Sequence, residues 1–276
     1  MCSVYRSLIV AVSLLTGCAD VAGWPGESTK TSSLVAGNKL VGNKLVGNKL
    51  AGNKLSDGVL SVNMDAAGKL LSTEDGREVF SFIVSCALPS DIVLEAVVDG
   101  TTFDFFGELG LTPQWRVGPL SSEGRGWISA CMFSRVNDSD VPLPISLRGS
   151  NFALSTTSDE RTGWTVEEGA FYGNLFTPDD QPILWIACRG AGQLSHPDAS
   201  GLVDRNCAKP DPNNPGFTLC GFVYAGDCGA FASDQSCESF SAAGTFYRRC
   251  HQAPLASKDG GINPVFSQVI TTYVTP

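Results

Sequence analysis

The chain has 276 residues, a formal net charge of −9 and 43% hydrophobic residues. The stretch after residue 56 is long enough to bury about 70% or more of its unfolded surface, so a real core is expected. The acidic balance argues against nucleic-acid binding, which needs a basic footprint.

The chain opens with Arg6, an apolar stretch over residues 8–15, and the run Leu15-Thr16-Gly17-Cys18. A cationic start, an apolar segment and a small-residue cleavage site read as a secretory signal. The apolar stretch is shorter than the roughly 20 residues that span a bilayer, and no later segment is long and apolar enough. Leu-Thr-Gly-Cys resembles the lipobox of bacterial lipoproteins. The resemblance implies removal of residues 1–17 and lipid on Cys18, with acyl chains enough for stable anchoring. Ala19, rather than Asp, follows Cys18, which by the same resemblance favours the outer membrane over the inner. The expected location is the cell envelope.

Residues 18–36 are rich in Gly, Ser, Thr and Ala and read as a flexible linker. Four copies of Gly-Asn-Lys-Leu follow over residues 37–55 at a period of five. Neither helix nor strand periodicity puts every fifth residue on one face. The period resembles pentapeptide-repeat β-helices, but Lys stands where that class has Asn or Asp. Four copies would form one coil, and a single unit of a stacked fold cannot bury its own face. The expectation is a spacer, with one coil docked on the head as the alternative. Lys39, Lys44, Lys49 and Lys54 make this tether basic, while the head after it holds 13 Lys and Arg against 26 Asp and Glu. Such a stalk suits an anionic membrane surface, with solubility as the rival reason for its lysines.

The head spans residues 56–276, and a subdivision near residue 140 is compatible with its length. Ser72-Thr73-Glu74-Asp75 supplies helix-capping chemistry, and Val79, Phe82, Ile83 and Cys86 then recur at helical spacing until Pro89. Residues 92–98 and 101–106 flank Asp99-Gly100, a strong hairpin signal. Residues 121–136 carry Trp127, Ile128, Cys131 and Met132 at helical spacing. Candidate strands then follow at 143–148, 165–172, 183–188, 221–224 and 266–274.

Cys86, Cys131, Cys188, Cys207, Cys220, Cys228, Cys237 and Cys250 remain once Cys2 leaves with the signal and Cys18 takes lipid. An even count in an exported chain reads as four disulfides. Zinc sites usually show closer Cys pairs than the eight-residue spacing of Cys220 and Cys228. Two helices, each burying one cysteine, suggest a Cys86–Cys131 link. The other six cysteines lie in loop-rich sequence and allow 15 pairings.

Val84-Ser85-Cys86-Ala87-Leu88, Trp127-Ile128-Ser129-Ala130-Cys131, Glu168-Gly169-Ala170-Phe171-Tyr172-Gly173-Asn174-Leu175-Phe176 and Tyr247-Arg248-Arg249-Cys250, together with the signal and stalk, resemble cysteine-rich lipoproteins of myxobacterial type. The resemblance covers most of the head and implies a class without an assigned activity.

Chemistry is sparsely signalled. His196 and His251 both read as surface residues, and no Gly-x-Ser-x-Gly elbow accompanies them. Gly190-Ala191-Gly192 after a strand is faintly like a dinucleotide fingerprint, but Ser195 occupies the third glycine position. Residues 204–216 offer Asp204, Asp211, Asn213 and Asn214, without the order of an EF-hand. Glu167-Glu168 and Asp179-Asp180 are paired carboxylates of the kind a glycosidase uses, if they face each other across a sugar bond. Trp115, Trp164, Tyr172 and Trp185 are candidate stacking platforms that, with Glu167 and Glu168, would line a ligand surface.

These readings converge on an α+β head: two disulfide-linked helices, a mainly antiparallel sheet, and a cysteine-rich, loop-rich C-terminal β region. The expected function is a lipid-anchored envelope protein that works as a binding or structural module toward a glycan or an envelope protein. No catalytic residue, cofactor or metal is assigned. The alternative is an extracytoplasmic hydrolase acting on glycan or cell-wall polymers.

Overall fold

The computed structural model describes residues 55–60, 64–137, 144–178, 180–192, 207–229, 236–240, 246–252 and 264–276. Cys18, residues 18–36, the repeat up to Lys54, Asp179, His196 and Asp204 lie outside them. Leu55, which closes the repeat, is buried, as is Ser56. Trp115 Nε1 donates to the Gly58 carbonyl, and Leu120 N donates to that of Ser56. The segment Leu55–Gly58 therefore already packs into the head.

Two helices open the head, α1 over Met64–Leu71 and α2 over Glu74–Ala87. Thr73 caps α2 by accepting from Gly76 N, satisfying a donor that has no partner within the helix. Leu88 then leaves the helix in an extended conformation, as the residue before a proline must. The hairpin follows, with β1 at Val93–Val98 and β2 at Thr101–Phe106. Asp99 (φ 49°) and Gly100 (φ 79°) make the two-residue left-handed turn their sequence announces. Leu94, Ala96 and Phe105 turn inward, and Phe105 meets Phe80 edge-on at 4.8 Å.

Helix α3 (Ser122–Ser134) is capped by Ser121 and buried along most of its length. The Cys86–Cys131 disulfide joins it to α2. Short 3-10 turns occupy Pro113–Arg116 and Phe152–Leu154, and a short helix, α4, spans Ser158–Gly163.

The remaining strands are β3 (Ser146–Arg148), β4 (Val166–Asn174), β5 (Leu184–Arg189), β6 (Pro210–Asp211), β7 (Asn214–Thr218), β8 (Val223–Asp227), β9 (Cys237–Phe240), β10 (Tyr247–His251), β11 (Val265–Phe266) and β12 (Ile270–Val274). Seven of them form a central sheet in the order β3-β12-β4-β5-β8-β7-β6, and β11-β10-β9 form a smaller one. All central pairs are antiparallel except β5 with β8. The fold class is α+β.

Strand β4 shows why the sheets layer as they do. Its side chains alternate between faces. Phe171 joins α2, α3 and the inner face of the hairpin in one apolar cluster, while Ala170 and Tyr172 join Cys237, Tyr247, Cys250 and Phe266 in a second. The central sheet is covered by helices on one face and by the small sheet on the other, so β4 is buried on both.

One strand expectation and one part of the loop-rich reading are corrected. Residues 266–274 do not form one strand: β11 ends at Phe266 in the small sheet and β12 starts at Ile270 in the central one. The chain crosses between layers there, and a strand cannot pair in two sheets at once. The stretch 211–216 is not simply loop. It holds the end of β6, a tight turn at residues 212–213 and the start of β7, and Asn213 N donates to Asp211 Oδ1 at 2.8 Å.

Among the described residues all eight head cysteines pair: Cys86–Cys131, Cys188–Cys228, Cys207–Cys220 and Cys237–Cys250. The first two close separations of 45 and 40 residues, the others 13 each. Longer loops restrict the unfolded chain more, so the first two contribute most, within about 2–4 kcal/mol each.

Candidate functional site

A polar cluster joins the central sheet to the small one. It centres on Glu167, near the start of β4. Pairing with β12 shifts register between Thr272 and Tyr273, so that Gly169 faces Thr272 and Glu167 faces Tyr273. Glu168 is the extra residue of this bulge. Tyr273 and Thr272, as successive strand residues, point to opposite faces, and the two glutamates divide between them.

Glu167 is 8% exposed. Its Oε1 accepts from Tyr247 Oη at 2.8 Å and from Ala191 N at 3.1 Å. Its Oε2 accepts from Tyr273 Oη at 3.2 Å. Three donors from three segments thus converge on one carboxylate, and charge assistance strengthens each bond. Gly190 and Gly192 permit the close approach of the third: a Cβ on Gly192 would stand 2.5 Å from the Glu167 carbonyl oxygen and one on Gly190 2.8 Å away. The Gly190-Ala191-Gly192 run is therefore a cradle for Glu167.

Arg148 supplies the nearby positive charge. Its guanidinium stacks 3.7 Å above the Tyr273 ring, Nε donates to Ser146 Oγ, and Nη2 donates to the Trp164 carbonyl. Burial lowers the Arg148 pKa, opposed by Tyr273, Glu160 and Glu167. Burial raises the pKa of Tyr247 and Tyr273 well above the usual tyrosine range, and the Glu167 charge raises both further. Both phenols are held as proton donors. Neither is poised as a nucleophile.

Glu168, on the helix-facing side, accepts from Thr272 Oγ1 at 2.7 Å and is fully buried. The two glutamates do not flank a shared opening, as a glycosidase pair would have to.

The expected ligand surface does not assemble. Trp115 is fully buried against Phe176, because its indole closes the junction at Gly58. Tyr172 is fully buried, its hydroxyl donating to the His251 carbonyl at 2.6 Å. Trp164 and Trp185 are half-buried; the first donates to the Pro144 carbonyl and the second packs on Phe222. Trp115 and Trp185 belong to the helix-side core, whereas Tyr172 and Glu167 face the small sheet.

His251 is likewise corrected from surface to interior. It is 3% exposed and lies on β10, the middle strand of the small sheet, beside the bridged Cys250. Asp211, one of the oxygen-bearing residues of the 204–216 stretch, accepts from Asn213 N through its carboxylate.

Tyr247, Tyr273 and Arg148 carried no sequence signal for this cluster. Tyr247 and Tyr273 stand 80 and 106 residues from Glu167. A second polar brace was equally silent: Arg135 Nη1 donates to Ser85 Oγ at 2.7 Å and Nη2 to Glu108 Oε2 at 2.9 Å, tying the end of α3 to α2 and to the loop after β2.

No protein-family model matches this chain, and neither the curated proteins nor the solved structures hold a match to it.

Proposed function

We propose that the chain is a lipid-anchored protein of the bacterial cell envelope, held by Cys18, whose head serves as a binding or structural module. The observation that carries this reading is the set of four disulfides in a head that follows an export-type signal. Such a disulfide density suits an oxidising compartment. A non-catalytic role is supported by Glu167, whose carboxylate is spent on three internal donors and shielded from solvent. An enzyme needs its acid or base within reach of substrate. Outer-membrane placement follows the residue after Cys18, and the Lys39, Lys44, Lys49 and Lys54 stalk would lie on anionic lipid.

The test pairs fractionation with a turnover screen. The Cys18→Ser variant should leave the membrane fraction or fail to be processed. Retention in membranes after a high-salt wash would defeat the anchor. Wild-type chain should show no ester, peptide or glycan hydrolysis. An activity lost at least about a hundredfold in a folded His196→Ala, His251→Ala variant would favour the hydrolase.

A further inference from the structure

The β1–β2 hairpin is a two-stranded sheet, so among the described residues each strand has one edge that no strand covers. Among the described residues, no residue of either strand makes a hydrogen bond beyond the hairpin ladder. Its inner face is held on α2 by Leu94, Ala96 and Phe105. Its outer face shows Val93 (45% exposed), Val97 (70%) and Phe106 (61%).

The outer face also carries charge in a defined order. Glu95 stands directly across from Asp104, Val93 across from Phe106, and Val97 across from Thr102. Like charges directly opposite each other on a sheet are destabilising. Neither acid has an ion-pair partner among the described residues. Residues 88–112 hold five acids and no Lys or Arg. Read along β1, the outer row is apolar, acidic, apolar, and β2 reads Phe106, Asp104, Thr102.

The geometry points to this hairpin as a strand-addition site for an extended basic segment of a partner protein, with the pattern apolar-x-Lys-x-apolar. The inference rests on the binding-module reading and names its surface and partner chemistry. Main-chain bonds to the open edge supply affinity, and alternate side chains supply selectivity. A cation set beside Glu95 and Asp104 relieves their repulsion, and the flanking apolar residues cover Val93, Val97 and Phe106. A second copy of this chain is a poor occupant, because its own row would bring acid against acid.

The probe is a labelled synthetic peptide, Thr-Val-Thr-Lys-Thr-Val-Thr, added to the full chain and followed by fluorescence anisotropy. Saturable binding is expected. It should weaken about tenfold or more in the Glu95→Gln, Asp104→Asn double variant, as loss of a charge-assisted contact implies. It should vanish when alternate peptide nitrogens are methylated. Both substituted residues are exposed, and an unchanged thermal transition checks that the variant folds. Four outcomes overturn the inference: no saturable binding, binding indifferent to the double variant, a dimer of the chain that excludes the peptide, or a tenfold gain on deleting residues 37–54. The last would make the chain's own Lys repeat the occupant. Cleavage of the peptide would instead overturn the binding-module reading itself.

Discussion

Cys188 Sγ lies 3.8 Å from Cys237 Sγ, although the two belong to different disulfides. Cys188–Cys228 fastens β5 to the end of β8, and Cys237–Cys250 closes the small sheet. The two bridges therefore touch across the interface between the sheets, and a free thiol at one is within reach of the other.

This contact makes single and double cysteine variants behave differently. Cys188→Ala with Cys228→Ala should cost about 3–4 kcal/mol and leave one uniform species. Cys228→Ser alone should be worse behaved. The freed Cys188 thiolate can attack Cys237, forming Cys188–Cys237 and releasing the Cys250 thiol. Peptide mapping after acid quench should find that isomer in the single variant and not in the double one. A single variant with Cys237–Cys250 wholly intact would rule the exchange out.

The Glu167 cluster should behave as a structural tie. Glu167→Ala strands two buried tyrosine hydroxyls and one amide, so a loss of about 3 kcal/mol or more is expected. Tyr247→Phe should cost about 1 kcal/mol, since it removes one donor and leaves the carboxylate two. Chemical denaturation of both variants and of the double variant closes a cycle, and additive losses would show that the groups are not coupled.

Alkaline pH should loosen the head through its tyrosines. Tyr172, Tyr247 and Tyr273 all have raised pKa values in the folded state, and burial is the largest cause for each. An unfolded tyrosine ionises near pH 10. The folded state therefore holds more protons above that point. Their stabilisation is complete below about pH 10 and declines as pH rises beyond it, by up to roughly 1.4 kcal/mol per pH unit for each tyrosine. Phenolate absorbance should show these three ionising only as the fold is lost. Ionisation of all three near pH 10 in a chain with native circular dichroism would contradict the burial.

Arg135 should matter more than its place at the end of α3 suggests. It is buried, bonds to Ser85 and Glu108, and stands 5.9 Å from the Phe82 ring. Glu108 keeps 32% side-chain exposure and can rehydrate. Arg135→Met should thus cost about 2 kcal/mol, below the 3–5 typical of a fully buried pair. Thermal unfolding measures it, and a change under 0.5 kcal/mol would mean that the brace contributes nothing.

Local signals carried much of this fold. Val79, Phe82, Ile83 and Cys86 mark one face of α2, Pro89 stops it, and Asp99-Gly100 makes the hairpin turn. The Cys86–Cys131 link followed from two helices that each bury one cysteine. The remaining three bridges were not legible, because the turn-rich sequence around them has no period to set one cysteine opposite another. Nor was the site. Glu167 read as half of a carboxylate pair because Glu168 adjoins it, yet its real partners arrive from β10, β12 and the turn after β5. His251 read as surface because it directly follows Cys250 in loop-like sequence. Its burial comes from how the small sheet docks, which no local pattern encodes.

The strand order of the central sheet has a consequence for how the chain acquires its shape. Strand β12 follows every other described element in the chain, yet it sits between β3 and β4. Until residues 270–274 arrive, β3 has no partner and one edge of β4 is bare. Pairings this distant in sequence close late. For a polypeptide that emerges with its beginning first, the head cannot finish its main sheet until residues 270–274 are available. It must wait for β12, and until then the edge of β4 that β12 flanks stays open to solvent and to other chains.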